Sequence, residues 1–367
     1  MKKYLFFAGV LFISFISNAQ LTVAPNGGNK KASVSERIGI TDVTITYDRP
    51  HVNGREGKIW GQLIHEGFTD LGFGTSKAAP WRAGANECTT ISFSNDVKIE
   101  GNNLPAGKYG FFIAYGPTES TLIFSKNSTA WGSFFYNENE DALRVKVKPA
   151  ALDKTVEWLK YEFTNQTENT ATIALEWENL MIPFKVEVDY INTQLSSFRK
   201  ELQGEKGFKA DAWQQAAQFC VDNNVNLQEG LTWAEYAVNG QFIGEKNFQT
   251  LSTKAQILSR LNRQTEADAV MKEALPLGDM NELHAYGRQL QQQKHSKEAY
   301  DVFKMNYDKN PNTFTTNMGM ARANSALGNY KEALKYAQAA LPLAPDPPNK
   351  TNVESMIEKL KAGKDIN

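Results

Sequence analysis

Seven residues of one irregular stretch carry most of the chemistry this sequence offers. Arg49, His51 and Arg55 follow a strand-like run, and Trp81, Arg82, Asn86 and Glu87 lie in "PWRAGANECTT", just before another such run. Guanidinium groups fork carboxylates, and indole faces stack on sugar rings or cations. Together they suit a small anionic or sugar-like ligand. The other reading is internal. A long loop exposes backbone groups that must find partners, and Arg82 with Glu87 would form one ion pair inside the protein.

Other chemistries find weaker support. Asp48, Glu56, Glu87 and Asp141 could furnish a carboxylate pair for hydrolysis, but no spacing singles out two of them. His51, His65 and Glu87 are the only metal candidates, without any His-x-His, His-Glu-x-x-His or cysteine pair. No Gly-x-Ser-x-Gly elbow is present. "GNNLPAGKY" has a glycine spacing one residue too long for a phosphate loop, and Tyr109 stands where that loop needs Ser or Thr. It reads as a hairpin turn built by Asn102, Asn103, Pro105 and Gly107. Cys88 and Cys220 are expected to be buried, inert thiols. Trp131, Phe134, Phe135 and Tyr136 are expected in core and rim packing. No catalytic, cofactor-binding or metal-binding residue is assigned.

Two kinds of element must position these groups. From Val43 to Val188 the apolar period is two, in eight strand-like segments: "VTITY", "TISFS", "YGFFI", "TLIFS", "LRVKVK", "LKYEF", "IALEW" and "FKVEV". Strict alternation gives one buried and one wet face, as in an antiparallel β-sandwich. After Tyr190 the period becomes helical. Trp213, Ala216, Ala217 and Cys220 share one stripe. Later units align on Ala267, Ala299 and Ala333, recurring at roughly 34 residues, with a degenerate earlier unit on Gly230. Ala321, Gly328, Tyr330, Ala333, Ala340 and Pro345 resemble the pattern of tetratricopeptide repeats over about residues 208–350. Thr351 and Glu354 have capping-box spacing, and the stripe Val353, Met356, Ile357 and Leu360 predicts a closing helix.

A second resemblance is carried by "YDRPHVNGREGKIWGQL", "WRAGANECTTISFS", "LPAGKYGFF", "WGSFFY" and "DALRVKV". Over about residues 35–190 these are similar to the exported Bacteroidetes family known as domain of unknown function 2911. The resemblance implies a β domain followed by helical repeats, and brings no chemistry. The segment "HEGFTDLGFGTSKAAP" is longer than that family's usual connection.

The expected order is therefore a signal peptide (1–19), a linker (20–34), a β-sandwich (35–190), a linker (191–206) and helical repeats with a capping helix (207–367). Lys2 and Lys3 precede an apolar run from Tyr4 to Ile16, and cleavage is expected after Ala19. Without those lysines 38 basic residues face 41 acidic ones, so nothing argues for nucleic acid. The expected protein is periplasmic or extracellular, with no membrane insertion after cleavage. Its repeats dock a peptide or protein, and its β domain is a recognition surface. A cell-envelope hydrolase acting on a glycan or peptidoglycan fragment is the alternative.

Overall fold

The computed structural model describes residues 28–367. The expected signal peptide lies outside them, as does most of the expected linker 20–34. The chain divides into two units, one ending at Thr193 and one covering Gln194–Asn367.

The first unit has ten strands: β1 (Lys30–Ile38), β2 (Thr41–Arg49), β3 (Thr89–Phe93), β4 (Val97–Ile99), β5 (Asn102–Leu104), β6 (Gly107–Ala114), β7 (Ser120–Ser125), β8 (Asp141–Val147), β9 (Ala150–Thr164) and β10 (Thr170–Val188). They form a six-stranded sheet, β1-β2-β3-β6-β7-β8, and a four-stranded sheet, β5-β4-β10-β9. All these pairings are antiparallel. Inward side chains of both sheets share one core, with Ile45, Phe111 and Phe124 from one and Leu159, Trp177 and Phe184 from the other. The other face of the larger sheet carries a small apolar cluster of Cys88, Phe112 and Ile123, packed by Ala130 and Tyr136.

Four expectations need correction. β1 stands outside the expected strands: its serines point outward and bond to Thr44 and Thr46 of β2, and Glu36 interrupts the inward row of Ala32, Val34 and Ile38. "IALEW" and "FKVEV" are one strand, β10, bent where its pairing with β9 slips on either side of Glu178. "GNNLPAGKY" is no hairpin between its flanking strands. The turn is Glu100–Gly101, both at positive φ, and the chain then crosses from β5 in one sheet to β6 in the other. The expected linker 191–206 is mostly helix α1 (Tyr190–Glu201).

The second unit is built of helix pairs: α2 (Ala210–Asn223) with α3 (Leu227–Asn239), α4 (Phe248–Arg260) with α5 (Gln264–Ala274), α6 (Met280–Gln292) with α7 (Ser296–Lys309), and α8 (Phe314–Ala326) with α9 (Tyr330–Ala340). The aligned residues Ala267, Ala299 and Ala333 are all buried, in α5, α7 and α9. At Gly230 a Cβ would come within 2.8 Å of the Cys220 Cβ. The closing helix α10 (Pro347–Lys361) buries Val353, Met356, Ile357 and Leu360. It begins earlier than expected: Asp346 caps it by accepting from the Asn349 amide, so Thr351 lies inside the helix. No helix among the described residues is long and apolar enough to cross a membrane.

Candidate functional site

The long excursion between β2 and β3 is ordered by three indoles. Trp60 and Trp81 pack on Trp177 of β10, with ring centroids 6.0 and 6.2 Å away and 5.6 Å between the first two. The seven expected residues lie along this excursion and do not converge. The Arg49 Nε donates to the Leu159 carbonyl at 2.7 Å and ties β2 to β9. His51 stacks on Trp158, ring centroids 4.5 Å apart. The Arg55 Nε donates to the Val52 carbonyl at 2.8 Å. Trp81 is buried, its Nε1 donating to the Gly84 carbonyl. Irregular backbone leaves carbonyls without ladder partners, and the arginines supply them.

Arg82 and Glu87 do not pair. The Arg82 Nη1 donates to the Asn86 carbonyl at 2.8 Å, and its guanidinium lies over Phe134, 5.3 Å from the ring centroid. Burial holds its pKa below the ordinary value. Glu87 instead takes the Lys31 ammonium at 2.8 Å, and the Asn86 side chain accepts from Asn29. Both partners come from the segment at and just before β1, the strand that the alternation does not reveal.

Glu87 also lies beside Asp48, in the lining of one small cavity. Burial first, then Glu87, raises the Asp48 pKa, while Lys31 lowers that of Glu87. Of the four carboxylates weighed, these two meet, in this cavity of about 180 Å³ that Lys31, Lys108 and Cys88 also line. Burial raises the Cys88 thiol pKa and pushes Cys220 up to about 11. Both cysteines are buried and free. Among the described residues no group of three His, Cys, Asp or Glu could hold a metal ion.

Sequence reasoning missed an arginine pair on the helical unit. Arg288 of α6 and Arg322 of α8 are one repeat length apart, so they occupy the same position of successive repeats; Gln256 of α4 is their counterpart one repeat earlier. The repeat spacing alone would have found them. Neither arginine makes an ion pair among the described residues. The Arg288 Nη1 reaches the Gln291 side chain at 3.3 Å, and the Arg322 Nη1 reaches the Ile366 carbonyl at 3.5 Å. Burial, then Arg288, lowers the Arg322 pKa to about 10, and Asp365 opposes this. Burial and both arginines lower His284 to about 4. His284 Nδ1, Gln291 Nε2 and Asn317 Oδ1 are buried without a hydrogen-bond partner among the described residues. A half-desolvated pair of guanidinium groups is suited to a carboxylate.

Beside α8 the chain itself supplies an acidic segment. After α10, Asp365–Asn367 doubles back onto α8. The Ser325 hydroxyl donates to Asp365 at 2.6 Å, and the Ile366 amide donates to Ser325 at 3.1 Å. Ile366 is buried there. A separate groove of about 490 Å³ is lined by α4 to α7 and carries Gln256, Asp268, Tyr286 and Gln293.

The class is now defined: an antiparallel β-sandwich unit followed by a tetratricopeptide-like helical unit. Residues 29–186 match the model of a family described as "Protein of unknown function (DUF2911)". No curated protein matches the chain. Among solved structures, "YrrB: a TPR protein with an unusual peptide-binding site" is 18% identical over 45% of this chain and 84% of that one, with a TM-score of 0.31. A tetratricopeptide repeat protein from Parabacteroides merdae ATCC 43184 is 17% identical over 47% and 69%, with a TM-score of 0.32. MamA from Desulfovibrio magneticus RS-1 is 15% identical over 43% and 95%, with a TM-score of 0.29. These overlaps are partial, and the repeat assignment rests on the helix pairs themselves.

Proposed function

We propose that this is an exported binding protein whose helical unit docks an acidic segment of a partner protein. One observation carries the reading: Arg288 and Arg322 stand at equivalent repeat positions, partly withdrawn from water, with no carboxylate paired to either among the described residues. Two desolvated like charges are unfavourable until an anion joins them. A peptide carboxylate would relieve the repulsion and take charge-assisted hydrogen bonds, each contributing about 1.5–3 kcal/mol. The folded-back Asp365–Ile366 segment supports this, since it sets an acidic residue and an apolar anchor against α8. Export rests on Lys2, Lys3 and the apolar run ending before Ala19.

The test uses the full mature chain and two fluorescein-labelled octapeptides, one alternating aspartate with leucine, the other asparagine with leucine. Fluorescence anisotropy should show the aspartate peptide binding and the asparagine peptide binding at least about tenfold more weakly. An R288Q/R322Q chain should lose that preference. Equal binding of both peptides, or a preference untouched by the double substitution, sinks the reading.

The hydrolase alternative gains nothing from the geometry. Glycosidase carboxylates stand about 5–9.5 Å apart to hold a sugar bond or water between them. Asp48 and Glu87 instead share a cavity of about 180 Å³ with Lys31, which pairs with Glu87 at 2.8 Å.

A further inference from the structure

The β unit holds a larger cleft that none of the seven expected residues lines. Its volume is about 570 Å³, within the range of about 300–1,000 Å³ typical of small-molecule sites. One wall is the segment that exceeds the usual connection of the resembled family, contributing Phe68 and Thr75–Ala78. The other is the loop Phe135–Glu140, with Arg144 of β8 beside it.

The two walls are fixed to one another before any ligand arrives. The Ser76 amide donates to the Phe134 carbonyl at 3.0 Å. Gly74, at φ +79°, passes so close that a Cβ would lie 2.2 Å from the same carbonyl oxygen. Arg144 is pinned as well. Its Nε donates to Asp141 at 2.6 Å, its Nη2 donates to the Tyr136 hydroxyl at 2.7 Å, and that hydroxyl donates to Asp141 at 2.6 Å. The guanidinium lies over the Phe68 ring, 5.4 Å from its centroid. The wall is preorganised, so little ordering entropy is lost on binding.

The lining shows what would bind. Phe135 is 54% exposed and Phe68 40%. Phe73, 64% exposed, packs edgewise against Phe134 and Phe135 and extends the aromatic surface. Exposed phenyl faces in a cleft wall bury the C–H face of a sugar ring well. The cations of the lining are engaged: Lys77 pairs with Asp70, and Arg144 with Asp141 and Glu138. An anionic ligand would find its counter-charge already engaged. The Thr75 hydroxyl and the Glu140 carboxylate line the cleft and have no side-chain hydrogen bond among the described residues. They would take neutral hydroxyl groups. We propose that this cleft binds a neutral oligosaccharide, its ring faces on Phe135 and Phe68 and its hydroxyls on Glu140 and Thr75.

The reading does not depend on the helical unit. Isothermal titration of the full mature chain with maltotriose, cellotriose and the N-acetylglucosamine trimer tests it, with trigalacturonate as the charged comparator. At least one neutral trimer should bind saturably. Phe135→Ala and Glu140→Gln should each weaken it by about tenfold. Phe135 is exposed and Glu140 half-buried at the cleft edge, so the melting temperature should stay within about 2 °C of wild type. Failure of all three neutral trimers, binding of trigalacturonate alone, or affinity untouched by Phe135→Ala overturns the proposal.

Discussion

The β unit and the helical unit use arginine in opposite ways. In the β unit, Arg49, Arg55 and Arg82 each donate to a backbone carbonyl at 2.7–2.8 Å. Arg55 and Arg82 serve carbonyls of the long irregular excursion, and Arg49 serves one on strand β9. In the helical unit the backbone satisfies itself through i to i−4 bonds. The contacts of Arg288 and Arg322 are longer: Arg288 reaches the Gln291 side chain at 3.3 Å, and Arg322 a carbonyl of the folded-back tail at 3.5 Å. A cluster of arginines therefore points to a ligand only after the backbone's own demand has been subtracted.

Substitutions in each unit test the contrast. Trp177→Ala removes a fully buried indole that holds Trp60 and Trp81. It should cost about 3–5 kcal/mol, read from urea unfolding followed by near-ultraviolet circular dichroism. A loss below about 1 kcal/mol would mean that the excursion is held by something other than the indole cluster.

His284 tests the helical unit by pH. Its folded pKa of about 4 lies below its ordinary 6.5, chiefly through burial and then through Arg288 and Arg322. A depressed folded value means stability is fully present above pH 6.5. It is lost as pH falls toward 4, because only the unfolded chain takes up the proton there. The loss should be on the order of 2–3 kcal/mol. His284→Asn cannot titrate, so its stability should fall less than wild type over that window. Parallel pH profiles would contradict the assignment.

The arginines themselves give the smallest effects and the sharpest contrast. Arg49→Met leaves buried carbonyls of β9 without a donor and should destabilise by about 1–3 kcal/mol. R288Q/R322Q should leave stability within about 0.5 kcal/mol of wild type or raise it, since it relieves repulsion. Thermal melts of the two variants side by side decide the matter. If the double variant melts earlier than Arg49→Met, the arginine pair is structural and the contrast fails.

Much of the architecture was legible because it depends on local spacing. A period of two predicts strands with one wet face, and the buried alternations of β2 and β3 follow it. A recurrence at roughly 34 residues predicts stacked helix pairs, and the aligned alanines are buried where helices meet. β1 escaped because an edge strand can be polar on its open face, as Ser33 and Ser35 are. Trp131 and Phe135, expected in packing, are instead 60% and 54% exposed. Nothing in an aromatic run says which ring turns outward.

The amino-acid order by itself determined the two periodicities, the change between them near residue 190 and the small residues at helix crossings, because each depends on neighbours within one turn or one strand. Only the tertiary structure decided which polar groups meet. Glu87 bonds to Lys31, 56 residues away, and not to Arg82, its near neighbour in the chain. Arg49 serves Leu159, 110 residues on. A hydrogen bond forms only within about 3 Å, and which distant residues come that close is set by the packing of two sheets around one core.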